Sequence, residues 1–145
     1  MYEYNVAVIP GDGIGPEVIE VAIRILQKAC RKYQFEVTFN ELPWGYDYYK
    51  FHKEMMPPDG LEQLKEYDSI LLGAIGHPEV PDYISLWGLL LPIRRGLQQY
   101  VNVQPIKLYK GIKSPLVGRE IGDIDMIIVR ENSEGEYSEI GGRLY

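Results

Sequence analysis

The sequence predicts an α/β domain built on a parallel sheet. Three observations carry that expectation. A short, largely apolar run, Tyr4 to Ile9, leads through a glycine turn into residues of helical period. Two more strand-like runs follow, near residues 35–39 and 69–72, with another helical segment between them. The order strand, helix, strand, helix, strand is that of parallel strands joined by crossover helices.

Tyr4–Ile9 is stopped by Pro10-Gly11 and reads as a buried strand. Gly11-Asp12-Gly13-Ile14-Gly15 is a loop. Pro16-Glu17 then opens a helix, with proline at the first position and an acid in the first turn. Val18, Val21, Ala22, Ile25, Leu26 and Ala29 recur at helical spacing and define one apolar face. Cys30 sits beside that face, in the expected core. Phe35, Val37 and Phe39 alternate with Glu36, Thr38 and Asn40, a strand with one polar side. Asp59-Gly60 punctuates, Leu61–Tyr67 reads as a short helix, and Ser69–Leu72 as a third strand. Pro92 is expected to begin a further helix through Arg94, Arg95, Leu97 and Gln98. Val101–Tyr109 reads as extended, Ser114–Gly122 as a loop, and Asp125–Val129 as a buried strand. Glu131–Tyr145 is polar and glycine-rich, and a chain stopping so soon after a strand reads as truncated.

Composition narrows the classes of function. The 145 residues are 46% apolar and 25% charged, which suits one globular domain of ordinary size. The balance of 15 Lys+Arg against 21 Asp+Glu gives a net charge of −6, with no basic run. Binding to nucleic acid through a basic patch and polybasic membrane anchoring are therefore not expected. The apolar stretch Ile84–Ile93 is about half of a membrane span and carries Gly88 and Pro92. The start, MYEYNVAVIP, lacks the basic opening of a secretory signal. A single cysteine excludes an internal disulfide framework and fits a reducing compartment. The expected setting is cytoplasmic.

Four places carry residues suited to chemistry. The Gly11–Gly15 loop lies where an α/β sheet meets ligands, yet it lacks the dinucleotide fingerprint G-x-G-x-x-G, because Pro16 holds the last glycine position. It is either a ligand loop or a tight turn. Gly73-Ala74-Ile75-Gly76-His77-Pro78 follows a strand, and its glycines would let backbone approach a flat ligand. His77 is either a ligand contact or a surface residue. His52 and His77 lack metal-ligand spacing, and no H-E-x-x-H or C-x-x-C occurs. Arg94 and Arg95 stand in an apolar segment after Leu89-Leu90-Leu91, and Arg130 ends a strand. A guanidinium fork suits carboxylates, and structural salt bridges are the competing reading. Finally, four glutamates lie between residues 131 and 139, the pattern of a solvated face or of a metal cluster. Tyr137 lies near Arg130 in sequence, and a phenol beside cations can donate a proton.

Taken together, VIPGDGIGPEV, LLGAIGHP, LLLPIRRGLQQYVNVQP and DIDMIIVRENSEGEY resemble the metal-dependent β-hydroxyacid oxidative decarboxylases. That family includes isocitrate, isopropylmalate, and tartrate or D-malate dehydrogenases. The resemblance implies a two-lobed isopropylmalate-dehydrogenase-like fold, of which this chain holds the N-terminal portion. Residues 1–99 would form part of the first lobe. Residues 100–145 would start a second lobe that carries substrate and dimer contacts. Strand edges and apolar faces that such a fold covers would be left exposed, with poor solubility as the consequence.

The resemblance also implies roles. Arg94 and Arg130 match arginines that hold substrate carboxylates. Tyr137 matches the general acid that protonates the enolate carbon after carbon dioxide leaves. Gly73, Ala74, Ile75 and Gly76 match a loop lining the nicotinamide cofactor. A third family arginine is replaced by Gln104, which keeps hydrogen bonding and loses the charge and the fork. Isocitrate enzymes place serine and asparagine where this chain has Gly88 and Leu90, and isopropylmalate enzymes place an acid where it has Trp87. The tartrate/D-malate branch is the nearest resemblance. The implied chemistry is oxidation of a 2-hydroxy diacid by NAD, then loss of the β-carboxyl, with Mg2+ or Mn2+ as metal. The family's metal-binding aspartates and lysine base lie in a later segment, so this chain alone is expected to be inactive. Complete subunits would form a homodimer with a small diacid as partner. Isopropylmalate as substrate, or a non-catalytic fragment, are the alternative readings.

Overall fold

Strand β1 (Glu3–Gly11) is the middle strand of a three-stranded parallel sheet in the computed structural model, which describes residues 2–135, 138, 140 and 141. β2 (Glu36–Glu41) pairs on one side, from Glu3 with Glu36 to Val8 with Glu41. β3 (Ser69–Ala74) pairs on the other, from Val6 with Ser69 to Gly11 with Ala74. The order β2-β1-β3 is that of the expected parallel α/β sheet. The chain divides into two units, Met1–Leu97 and Gln98–Tyr145.

In unit 1 the middle of β1 is fully covered: Ala7, Val8 and Ile9 are buried. Ala7 and Ile9 join Trp44, Met55, Leu64, Leu89 and Ile93 in one core cluster. α2 (Tyr46–His52) and α3 (Gly60–Lys65) lie in the connection between β2 and β3. α2 has no counterpart in the sequence expectations, because Tyr46-Asp47-Tyr48-Tyr49 is aromatic and polar without a helical stripe.

Helix α1 (Gly15–Tyr33) starts with Pro16 in its first turn and ends at Gln34, whose left-handed backbone returns its N–H to Cys30. The face it buries corrects the expectation. Gly15, Ile19 and Cys30 are buried, whereas Val18, Val21 and Ile25 are 50%, 51% and 62% exposed. The two stripes are rotated by about a third of a turn at 3.6 residues per turn. Apolar residues therefore cover an arc wider than one packing partner needs, and unit 1 covers only one side of it.

The helix expected from Pro92 begins upstream. α4 (Asp82–Ser85) passes through a π-helical turn, Leu86–Leu90, into α5 (Leu91–Gly96). A proline inside a helix lacks an N–H and crowds the carbonyl four residues back. The wider π turn lets the helix continue through Pro92, and it places Leu89 and Ile93 in the core.

Gly73 is where sheet and turn meet most closely. A Cβ there would stand 2.0 Å from the Pro10 carbonyl oxygen and 3.1 Å from Ile19. Gly73→Ala is therefore expected to destabilise unit 1 by about 1–3 kcal/mol through overpacking. Thermal melting of wild-type and variant chains measures this, and an unchanged midpoint would refute it.

Unit 2 is an antiparallel ribbon of β4 (Val101–Lys107) and β5 (Asp125–Glu131), in register from Val101 with Glu131 to Lys107 with Asp125. β5 was expected to be buried, and its whole length is exposed. A two-stranded ribbon carries no second layer of its own to cover either face.

Candidate functional site

The chain leaves β1 for β2 on one side and returns to β3 on the other. This makes the carboxyl ends of β1 and β3 a topological switch point, where open α/β sheets bind ligands. The turn Gly11–Gly15 and the segment Gly73–Gly76 meet there. Their link is Asp12, a residue buried to 6% exposure. Its N–H donates to the Ala74 carbonyl at 2.6 Å. Its carboxylate accepts from the Gly76 N–H at 2.8 Å and from the Tyr46 N–H, at the start of α2, at 2.6 Å. One side chain thus ties together the segments that follow all three strands. In the sequence Asp12 is a loop residue, and an acid flanked by glycines in a strand-to-helix turn is the signal that marks it.

A second tie joins the same segments. The Tyr46 ring stacks on His77, with centroids 3.7 Å apart and planes within 4°. The Tyr46 hydroxyl donates to Glu79, and Lys50 Nζ lies 4.8 Å from the Tyr46 ring centroid. The bond to the Glu79 carboxylate, with some burial, pushes the phenol up to about 12. His77 Nδ1 accepts from the Glu79 N–H at 3.2 Å, so it is engaged within its own loop. No sequence pattern announced this stack.

Two features fit a dinucleotide at this edge. Nothing lies within 4 Å of a Cβ placed on Gly13 or Gly76, so both turns are open on their outer side. The backbone around Gly73–Gly76 is held by bonds to Asp12 rather than by its own side chains. Asp12 also supplies an anion to the N–H groups at this edge, so the phosphate grip of G-x-G-x-x-G turns is not reproduced here.

Arg94 is half-buried on α5, next to buried Ile93. Its neighbour Arg95 lies over the Trp87 ring, guanidinium carbon 4.9 Å from the centroid. Trp87 thereby carries a cation on its face. In unit 2, Asn102 stands opposite Arg130 and Gln104 opposite Ile128. Alternation along the strands puts Asn102, Gln104 and Arg130 on one face of the ribbon. Gln104 and Arg130 are diagonal neighbours, roughly 7–8 Å apart in such ladders. Beyond β5, buried Asn132 donates its N–H to Tyr100 at 2.9 Å and fixes the strand's exit. Arg94 belongs to unit 1, Gln104 and Arg130 to unit 2. Tyr137 lies outside the described residues.

The sequence model of the isocitrate/isopropylmalate dehydrogenase family matches residues 5–143. The chain belongs to that family. Within the family, it is 53% identical over its whole length to a probable tartrate dehydrogenase/decarboxylase of Agrobacterium vitis, covering 41% of that protein. It is 50% identical to the decarboxylating D-malate dehydrogenase of Escherichia coli (strain K12), with 99% of this chain and 40% of that protein aligned. The chain thus spans about 40% of the length of these relatives. Among solved structures of the family, the β-decarboxylating dehydrogenase of Thermococcus kodakarensis aligns with a TM-score of 0.63 at 35% identity, over 91% of this chain and 35% of that one. Isocitrate dehydrogenase from Methylococcus capsulatus shares the fold, with a TM-score of 0.75 at 24% identity, over 97% of this chain and 37% of that one.

Glu131, the last residue of β5, is bonded into a turn with Ser133 and Glu134. Glu131 accepts from the Ser133 hydroxyl at 2.7 Å, the Ser133 N–H at 2.8 Å and the Glu134 N–H at 2.8 Å. These bonds, led by the Ser133 hydroxyl, lower its carboxyl from 4.5 to about 2. A depressed carboxyl stabilises the fold above its unfolded value, and that contribution is lost on acidification. The Glu131–Glu134 turn is therefore expected to persist at pH 5 and to open as pH falls from 4.5 toward about 2. Backbone amide shifts of Ser133 and Glu134 would follow it, and a transition centred at 4.5 would refute it. Among the described residues no group of three or more His, Cys, Asp or Glu could hold a metal ion. None of the described helices is long and apolar enough to cross a membrane.

Proposed function

We propose that this chain supplies the cofactor loop and the carboxylate anchors of an NAD- and divalent-metal-dependent oxidative decarboxylase acting on a 2-hydroxy diacid such as D-malate or tartrate. The observation that carries this reading is the side-by-side placement of Gln104 and Arg130 on one ribbon face, in a chain of this family. A guanidinium fork and an amide N–H together donate to one carboxylate. NAD, when bound, would take the hydride from the hydroxyl-bearing carbon, while the lysine base of the family's later segment takes the hydroxyl proton. Arg130 holds a carboxylate, Gln104 beside it adds a neutral donor where a third cation is missing, and Arg94 matches a further carboxylate-holding arginine of the family. Tyr137 then gives its phenolic proton to the carbon that loses carbon dioxide. The metal, held by aspartates of the family's later segment, would polarise the hydroxyl and stabilise the enolate. Complete subunits paired as homodimers in the cytoplasm belong to the same reading.

Turnover requires chain beyond these 145 residues. Purified chain mixed with D-malate, NAD and Mn2+ is expected to give no rise in absorbance at 340 nm. It is expected to bind D-malate and tartrate weakly, with shifts of the Gln104 and Arg130 side-chain resonances. NADH formation by the chain alone would overturn the first expectation. Saturating diacid that leaves those resonances unmoved would overturn the assignment of the site. Higher affinity for isopropylmalate than for D-malate would overturn the choice of substrate.

A further inference from the structure

We infer that Asp12 is the positioning residue of the dinucleotide loop: its carboxylate pins Gly76 to the start of α2 and so sets the loop's affinity for a nicotinamide dinucleotide. This rests on the reading of Gly73–Gly76 given under Proposed function.

Gly76 has φ +135, a conformation that side chains rarely adopt, and a glycine there has no rotamer or packing to hold it. The loop therefore needs an anchor from elsewhere. Asp12 supplies it over a separation of 64 residues, and it reaches Tyr46 over a separation of 34. Both carboxylate oxygens are used, one for each segment. Bonds to an ionised acceptor are roughly twice as strong as neutral ones. The fit is close: a Cβ on Gly45 would stand 2.5 Å from Asp12 Oδ1. The Asp12 N–H also holds Ala74, so the dinucleotide loop is gripped on both sides of Ile75. The stack of Tyr46 on His77 then fixes the end of the loop to the same helix start.

The side-chain chemistry makes the role specific. Asparagine in place of Asp12 can accept from one N–H, but it turns an NH2 donor toward the other. Alanine accepts from neither. A graded release follows, one segment in Asp12→Asn and both in Asp12→Ala, with the strand core unchanged. A residue serving stability alone would loosen the core amides in step.

The test uses the isotopically labelled 145-residue chain. In the wild type, through-hydrogen-bond couplings are expected from the Tyr46 and Gly76 amides to the Asp12 carboxyl carbon. Added NADH is expected to slow exchange of the Gly76 amide. In Asp12→Asn, one of those two amides exchanges at least tenfold faster, and in Asp12→Ala both do. Exchange at Ala7, Val8 and Ile9 stays at the wild-type rate. Affinity for NADH falls about tenfold in Asp12→Asn and further in Asp12→Ala. Missing couplings in the wild type, or unchanged exchange in both variants, overturn the inference. Faster exchange with wild-type NADH affinity overturns the link to the cofactor. Wild-type chain that binds no NADH overturns the assignment of the loop itself, while exchange still decides whether Asp12 holds it. If both variants unfold, the wild-type couplings and the NADH-dependent exchange of Gly76 decide.

Discussion

Leu89→Ala is expected to lower the melting temperature of unit 1 by roughly 10–30 °C. Leu89 is 0% exposed and sits in the π-helical turn that faces the sheet. Its neighbours in the core cluster include Ile9, Trp44, Met55 and Ile93. Those neighbours come from four places in the chain, so closing the gap would require several segments to move together. A leucine-to-alanine change in such a place costs about 2–5 kcal/mol. Whole domains hold only about 5–15 kcal/mol of stability. Val18→Ala is the matched control, since Val18 is half exposed and should shift stability by less than about 0.5 kcal/mol. Calorimetry on both variants compares them directly. Equal shifts would show that the π turn does not seat Leu89 in the core.

Arg130→Ala is expected to weaken diacid binding roughly 10- to 150-fold, the equivalent of losing one hydrogen-bonded charge pair at about 1.5–3 kcal/mol. The loss should fall on the diacid, because the guanidinium fork pairs with a carboxylate. Arg130→Lys keeps the charge and loses the fork, so it should recover only part of the affinity. Gln104→Arg tests the same face in the other direction and should tighten diacid binding about tenfold by adding a charge-assisted donor. Equilibrium titration with D-malate and tartrate measures all three. Wild-type affinity in Arg130→Ala would remove Arg130 from the site.

The three strands of unit 1 and the helices α1 and α3 were readable because their signals are local, whereas α2 lacks an apolar stripe. β1 holds the largely apolar run Tyr4–Ile9, β2 alternates, and β3 runs into Gly73-Ala74. Pairing Gln104 with Arg130 on one face also follows from period-two alternation once the register is known. Three further things were not readable. The side of α1 that packs depends on which half of a wide apolar arc meets the sheet, and periodicity cannot choose between halves. The start of the α4–α5 helix was hidden by Pro92, because a π turn absorbs the break that proline announces. The burial assumed for β5 came from its hydrophobicity alone, and burial needs a second layer that sequence does not display. At the site, Asp12 and the Tyr46–His77 stack are contacts over tens of residues, which no spacing rule encodes.

The uncovered stripe of α1 sets how concentrated this chain can become. Val18, Val21 and Ile25 offer a greasy ridge that unit 1 leaves wet and that self-association of these 145 residues would dry. The gain from drying it fades in the cold. Preparations that cloud on the bench should therefore clear on ice, and Val21→Lys should keep them clear when warm.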